Sequence, residues 1–270
     1  MVGDDKETMG QLKGVQTLLR GLDILDQVID GPVRVTDLAR NLDLTKSTAH
    51  RLVQALRTRD YLSITTDGYS LGPKLLQLGT MAHEQVDYVR LARPHMEALS
   101  EQTGYCVFIG KREDDWSRHL ERVTGRQRLR VATAPGDRRL IVETGLGKAL
   151  LLDEDPASLT RLFYAAKPGT TREQLGDWLE AMEAHARRGV VLHDSEVGDG
   201  VRSVAAPIRN AKGNIVIALS IAGASVYLTD EVIENLVAPL TSAAAELSSV
   251  LGHVPGNDRS MPKRFARSAG

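Results

Sequence analysis

The stretch "LTKSTAHRLVQALRTRDYL", from Leu44 to Leu62, has the residue spacing of an amphipathic helix. Its apolar residues recur every three or four positions, at Ala49, Leu52, Val53 and Leu56. Thr45 precedes this pattern, where a hydroxyl side chain caps the start of a helix. The opposite face shows donors and positive charge and no acid: Lys46, Ser47, His50, Arg51, Gln54 and Arg57. We therefore expect a helix with one buried face and one basic, solvent-facing face.

The neighbouring segments predict a winged helix-turn-helix over residues 12–73. Upstream, apolar residues at helical spacing run from Val15 to Ile29 and end at Gly31-Pro32. Thr36 is expected to cap a second short helix that reaches about Asn41. Downstream, alternating residues predict a hairpin over residues 62–71 with its turn at Asp67-Gly68.

Charge is concentrated in this first domain. Residues 32–59 hold six Lys or Arg and two acids, a net +4, whereas the whole chain has a net charge of −1. A solvated basic helix is the plainer interpretation, but the helix spacing, the hairpin and the charge offset coincide, which favours DNA binding. A third helix of this kind enters the major groove, where Arg51 would pair with guanine. The predicted DNA contacts are Arg34, Thr36, Thr45, Lys46, Ser47, Thr48, His50, Arg51 and Arg57.

The second half of the chain alternates helices and strands and predicts an α+β domain over residues 91–254. A linker helix is expected over residues 74–90, starting at Pro73 and reaching about Val89. Strands are expected over 105–110, 119–123, 129–133, 201–209 and 215–221, in a mainly antiparallel sheet. Caps at Asp155, Thr171 and Thr229 begin further helices. We expect disorder in the lead-in, residues 1–11, and in the basic tail, residues 255–270.

Composition indicates the cellular compartment in which the protein works. Cys106 is the single cysteine, so no internal disulfide forms, and this usage suits a reducing cytoplasm. The first ten residues lack the apolar core of a signal peptide, and no apolar stretch is long enough to span a bilayer. We therefore expect a cytoplasmic protein without a membrane partner.

Five segments resemble the IclR family of bacterial transcriptional regulators across residues 12–253. They are "VTDLARNLDLTKSTAHRLVQALRTRDYL", "GYSLGPKLLQLG", "LARPHMEALSEQTGYCVFIG", "TGLGKALL" and "DGVRSVAAPIRNAKGNIVIALSIAG". The resemblance implies a GAF-like effector-binding domain after the linker helix. It also implies a homodimer or homotetramer on palindromic double-stranded operator DNA, and a small organic acid or aromatic metabolite as effector.

The resemblance also implies a ligand pocket around "GLGKALL" and the last two strands. The matching positions are Arg139, Gly145, Leu146, His193, Ser203, Ser220 and Ala222. Ser203 stands where relatives often carry Cys, and His193 where an acid is frequent, which implies a ligand unlike that of the best-known members. A glycine at a helix start exposes backbone N–H groups to an anion, so we expect a carboxylate at Gly145. Arg139 is either a charge partner or part of a charged surface loop.

Other classes of function fit the sequence less well. "TGLGKA" has Ala149 where a phosphate loop needs Ser or Thr, and neighbours in "HDSE", residues 193–196, rarely face one another, so we expect no catalytic site. His185 and His193 lack metal-ligand spacing, and no metal or other cofactor is expected. A ligand-independent DNA-binding protein, with a second domain kept for assembly, stays open as the alternative.

Overall fold

The computed structural model describes residues 15–129, 131–195 and 200–255. The chain divides into two compact units after Val86. The predicted lead-in lies outside the described residues, as does the predicted tail from residue 256 onward. Within the described part, no helix is both long enough and apolar enough to cross a membrane.

In the described part of the first unit, residues 15–86, the chain forms three helices, a hairpin and a fourth helix. Their bounds are α1 Gln16–Gln27, α2 Val35–Asn41, α3 Lys46–Thr58, β1 Leu62–Thr65, β2 Gly68–Leu71 and α4 Pro73–Glu84. The helices bury Ile24, Leu38 and Val53 against Leu62 and Tyr69 of the hairpin. This arrangement is a winged helix-turn-helix, as the sequence predicted.

The wing turn lies one residue earlier than expected. Thr65 pairs with Gly68, so Thr66 and Asp67 form the turn and Gly68 begins the second strand. Gly68 is needed for close approach, because a Cβ there would lie 2.5 Å from the carbonyl carbon and oxygen of Val33. Val33 and Tyr69 exchange two backbone hydrogen bonds of 2.9 Å, and this bridge holds the wing against the segment before α2.

The same bridge explains why Thr36 is not a helix cap. Val33 is held in extended backbone, and α2 begins two residues later at Val35, with Arg34 as its N-cap residue. Thr36 therefore lies inside the first turn, and no side chain bonds to the helix from the Arg34 position. The prediction of a Thr36 cap was wrong.

The predicted helix from Pro73 to Val89 is also interrupted. α4 ends at Glu84, and a new helix, α5, spans Tyr88–Thr103. Asp87 starts that second helix, because its carboxylate accepts a 3.0 Å hydrogen bond from the Arg90 amide. Asp87 thus supplies a cap signal that the apolar pattern did not reveal.

The second unit is built on a six-stranded sheet in the order β5-β4-β3-β8-β7-β6, in which every neighbouring pair is antiparallel. The remaining bounds are β3 Cys106–Glu113, β4 Trp116–Val123, β5 Arg138–Leu140, α6 Gly145–Leu150, α7 Pro156–Ala166, α8 Arg172–Arg188, β6 Val191–Asp194, β7 Val201–Arg209, β8 Ile215–Ala224 and α9 Asp230–Val250. The α+β class with an antiparallel sheet is confirmed, and a GAF-like description fits it. Caps at Asp155, Thr171 and Thr229 are present as predicted.

The expected strand over residues 129–133 does not form in the described part of that segment. β5, at Arg138–Leu140, pairs with β4 instead. The guanidinium of Arg122 donates to the backbone carbonyls of Val131 and Thr133, at 3.4 and 2.9 Å. A side chain therefore satisfies carbonyls that a strand ladder would otherwise have used.

The two faces of the sheet have different roles. One face packs Val107, Ile109, Val204 and other apolar residues against α5 and α9. On the opposite face, residues such as Phe108, Ala205 and Ala218 pack under α6, α7 and α8. This alternation follows from the two-residue period of a strand, and the second face carries the candidate pocket.

Candidate nucleic-acid interface and ligand pocket

The start of α3 is fixed by its own residues. The Thr45 hydroxyl accepts a hydrogen bond of 3.2 Å from the Thr48 amide, which is the predicted cap. The same hydroxyl lies 2.8 Å from the Thr48 hydroxyl and 3.1 Å from that of Ser47. Thr45 and Thr48 therefore stabilise the start of α3, apart from their predicted role as DNA contacts.

The basic face of α3 is open to solvent. Ala49 and Val53 bury the opposite face. Of the predicted DNA contacts, Thr48 is half-buried and the others are exposed: Arg34, Thr36, Thr45, Lys46, Ser47, His50, Arg51 and Arg57. A helix that shows a row of donors beside a hairpin suits a major groove with its flanking phosphates.

The second unit holds a cavity of about 110 Å³ between the sheet and the start of α6. All seven positions expected around a pocket line this cavity: Arg139, Gly145, Leu146, His193, Ser203, Ser220 and Ala222. Arg139 is exposed at the cavity mouth, whereas the other six are buried.

The strand register brings the deeper residues together. Ser203 on β7 pairs with His193 on β6 and with Ala222 on β8. Two residues before Ala222 on β8, Ser220 pairs with Phe108 on β3. Side chains two residues apart share a face, so these residues form adjacent rows on the floor of the cavity.

Gly145 is required by close packing against this floor. A Cβ at that position would lie 2.4 Å from the Ser203 hydroxyl oxygen and 3.0 Å from the His193 Cβ. Thr144 caps α6, since its hydroxyl accepts a 2.9 Å hydrogen bond from the Gly147 amide. The amides of Gly145 and Leu146 belong to the first turn, which has no acceptor within its own helix.

Two family models match the chain. The model of the IclR helix-turn-helix domain covers residues 17–63. The model of the C-terminal domain of the bacterial transcriptional regulator IclR covers residues 80–249. The chain belongs to the IclR family.

Individual relatives agree with this assignment. The transcriptional regulator BhcR of Paracoccus denitrificans is 28% identical in an alignment of 252 positions that covers 91% of this chain and 90% of that protein. The transcriptional repressor YiaJ of Escherichia coli is 28% identical in an alignment of 276 positions, gaps included, that covers 96% of this chain and 97% of that protein. The crystal structure of the repressor BlcR of Agobacterium tumefaciens superposes with a TM-score of 0.71 at 27% identity, covering 89% of this chain and 98% of that chain.

This IclR-family chain is therefore a DNA-binding transcriptional regulator rather than an enzyme. Among the described residues, no three His, Cys, Asp or Glu side chains gather as metal ligands.

The sequence patterns did not single out His119 in the pocket wall or Lys148, which lies beside the wall residue His193. His119 on β4 lines the cavity, and its ring meets Phe108 edge-on with centroids 5.7 Å apart. Lys148 is buried on α6, and its Nζ lies 3.4 Å from His193 Nδ1. Strand alternation offered a signal for His119, because Ser117 and His119 are the buried residues of β4. Lys148 lies one helical turn after Gly145, and this spacing was the sequence signal that it lies near the pocket.

Proposed function

We propose that this regulator binds a palindromic operator as a homodimer or homotetramer and releases or engages it when a small organic acid or aromatic acid occupies the second unit. The observation that carries the ligand part is that the seven residues implied by the family resemblance surround one cavity. Family membership carries the DNA part.

The predicted contacts divide by the information they read. Arg51, exposed on α3, is proposed to pair with guanine in the major groove. Lys46, Ser47 and Thr48 lie in the first turn, where base contacts of such helices fall. Arg34 and Arg57 are proposed to bind phosphates, which contributes affinity without sequence preference.

Oligomerisation is supported by apolar residues that the first unit leaves open. On α4, Leu76 is 75% exposed, and Leu78 and Met81 are nearly half exposed. On α1, Leu18 and Leu22 are similarly open. Large exposed apolar groups that gather on helices mark association surfaces.

Light scattering coupled to gel filtration tests this part. Leu76→Glu should lower the mass of the oligomer, whereas Val226→Glu, at an equally open apolar site of the second unit, should leave it unchanged. An unaltered mass for Leu76→Glu would place the contact elsewhere.

The effector is proposed to dock its carboxylate at the start of α6. The first-turn amides of Gly145 and Leu146 point donors there, and the buried hydroxyls of Ser203 and Ser220 add two more. Arg139, at the mouth, supplies a positive charge at the entrance. Bound effector would shift the equilibrium between two arrangements of the DNA-binding units, by no more than its difference in affinity for them.

Thermal unfolding of the full-length chain with a broad panel of aliphatic and aromatic carboxylates tests the pocket. A ligand at about 100 times its Kd should stabilise the protein by about 2.7 kcal/mol. The same ligand should change the anisotropy of fluorescent operator DNA, and Gly145→Leu should abolish both effects. Operator binding that ignores every panel member, with no thermal shift, would favour a second unit that serves only assembly.

A further inference from the structure

His119 is a buried polar group of the pocket wall that the carboxylate site does not use. Its side chain lines the cavity and is 7% exposed. Its Nδ1 has no hydrogen-bond partner anywhere in the described part of the chain. Buried polar atoms in folded proteins are nearly always paired, so an unpaired one in a cavity wall points to a partner that arrives with a ligand.

The surroundings of the ring fix the kind of partner. Burial is the largest influence on the pKa of the His119 imidazole and lowers it, which favours the neutral ring, while the neighbouring Asp137 acts in the opposite direction. A neutral imidazole has one donor and one acceptor nitrogen. A hydroxyl group of a ligand both donates and accepts, so it complements either nitrogen of the ring.

The size of the cavity limits the ligand. Its volume is about 110 Å³, less than the roughly 150 Å³ of an engineered protein cavity that holds one benzene molecule. Benzene has six non-hydrogen atoms, so by this comparison the cavity encloses about four to five, and it opens to solvent at Arg139. An acid with an aromatic ring exceeds it.

We propose that the effector is a short aliphatic hydroxy acid whose hydroxyl group forms a hydrogen bond with the imidazole of His119. This inference rests on the proposed ligand pocket. It adds the chemical class of the ligand and a second polar contact between ligand and protein. Nδ1 is buried without ligand, so a rotation of the ring accompanies binding. A site built around a buried polar group discriminates strongly against an analogue without the hydroxyl group, because that analogue leaves the buried group unpaired.

Calorimetric titration of the full-length chain with three matched pairs tests class and size together. The pairs are lactate and propanoate, 3-hydroxybutanoate and butanoate, and mandelate and phenylacetate. We expect at least one short hydroxy acid to bind ten or more times more tightly than its deoxy partner, and the aromatic pair to bind more weakly than that acid.

His119→Phe tests the residue itself, because phenylalanine keeps the ring packing against Phe108 and removes both nitrogens. The preference for the hydroxy acid should vanish in His119→Phe and persist in His95→Phe, a matched control at a half-buried histidine that pairs with Glu246 on α9. His119→Asn retains an acceptor and should retain part of the preference. In the wild-type chain, the ¹⁵N resonance of the acceptor nitrogen of His119 should move on addition of the hydroxy acid and stay in place with its deoxy partner.

Each contrary result has its own meaning. Equal binding within both short pairs would overturn the hydroxyl contact and leave the carboxylate pocket standing. Tight mandelate binding would overturn the size limit. A preference that survives in His119→Phe, or an unmoved His119 resonance, would remove His119 from the site. If none of these acids binds, the inference is wrong, whereas the proposed function is judged by the broader carboxylate panel.

Discussion

Replacing Gly145 with alanine should destabilise the second unit, although the same change stabilises most helices. Gly→Ala within a helix gains up to about 1 kcal/mol. At Gly145 the new methyl would meet the Ser203 oxygen at 2.4 Å and the His193 Cβ at 3.0 Å, and overpacking of this kind costs about 1–3 kcal/mol. The Ser203 hydroxyl must leave its position and the His193 Cβ cannot move without its strand, so both contacts contribute to an expected net loss of about 1–2 kcal/mol.

Urea unfolding followed by tryptophan fluorescence measures this loss directly. The chain has two tryptophans, Trp116 and Trp178, and both lie in the second unit. Gly176→Ala is the matched control, since a Cβ at that site on α8 would meet nothing within 4 Å, and it should gain stability.

A double-mutant cycle isolates the contact. Ser203→Ala removes the nearer of the two atoms, so Gly145→Ala should cost about 1 kcal/mol less in that background, which would appear as a coupling energy between the two sites. If Gly145→Ala were as stable as Gly176→Ala, the argument that α6 packs directly on β6 and β7 would fail.

Three further results are expected. Arg51→Ala should weaken operator binding by about 1–3 kcal/mol and relax the sequence preference at one base pair, as measured by fluorescence anisotropy. The control Arg187→Ala on α8 should leave binding unchanged. Equal affinity of the wild-type chain and Arg51→Ala would remove Arg51 from the interface. Thr45→Ala should cost about 1 kcal/mol by loss of the cap, seen in thermal melts by circular dichroism, with Thr45→Ser close to the wild-type chain. Burial, then the charges of Lys148 and Arg188, lower the pKa of His185 from 6.5 to about 4. His185 therefore binds a proton at higher pH in the unfolded chain than in the folded chain. The free energy of unfolding falls as pH drops from about 6.5 towards 4. His185→Gln should flatten that dependence in urea unfolding at pH 7 and pH 5, and an unchanged slope would contradict it.

Features encoded within a few residues were predictable from the sequence. Thr45, Asp155, Thr171 and Thr229 cap their helices as expected because a cap needs a side chain and an amide two or three residues later. The helix order, the hairpin and the antiparallel sheet followed from periodicity in the same way.

Features that depend on distant partners were not predictable. The alternation over residues 129–133 is compatible with a strand, but Arg122 on β4 claims carbonyls of that segment. Thr36 is not a cap because a bridge between Val33 and the wing holds the backbone just before α2. His119 reaches the pocket through strand pairing with β3 and β5, so its alternation with Ser117 indicates a buried face but not which cavity that face lines.

The alternation of residues along the sheet separates positions that border the cavity from positions that form the core. In β7 and β8, Ser203, Ser220 and Ala222 border the cavity, while their immediate neighbours Val204 and Ile221 belong to the core on the opposite face. Substitution at a cavity position changes what the pocket recognises without disturbing the residues that hold the sheet to α5 and α9. Such a scaffold separates the residues that border the ligand pocket from those that hold the architecture, and it offers a short set of positions to randomise if the proposed effector response is to be redirected to another small molecule.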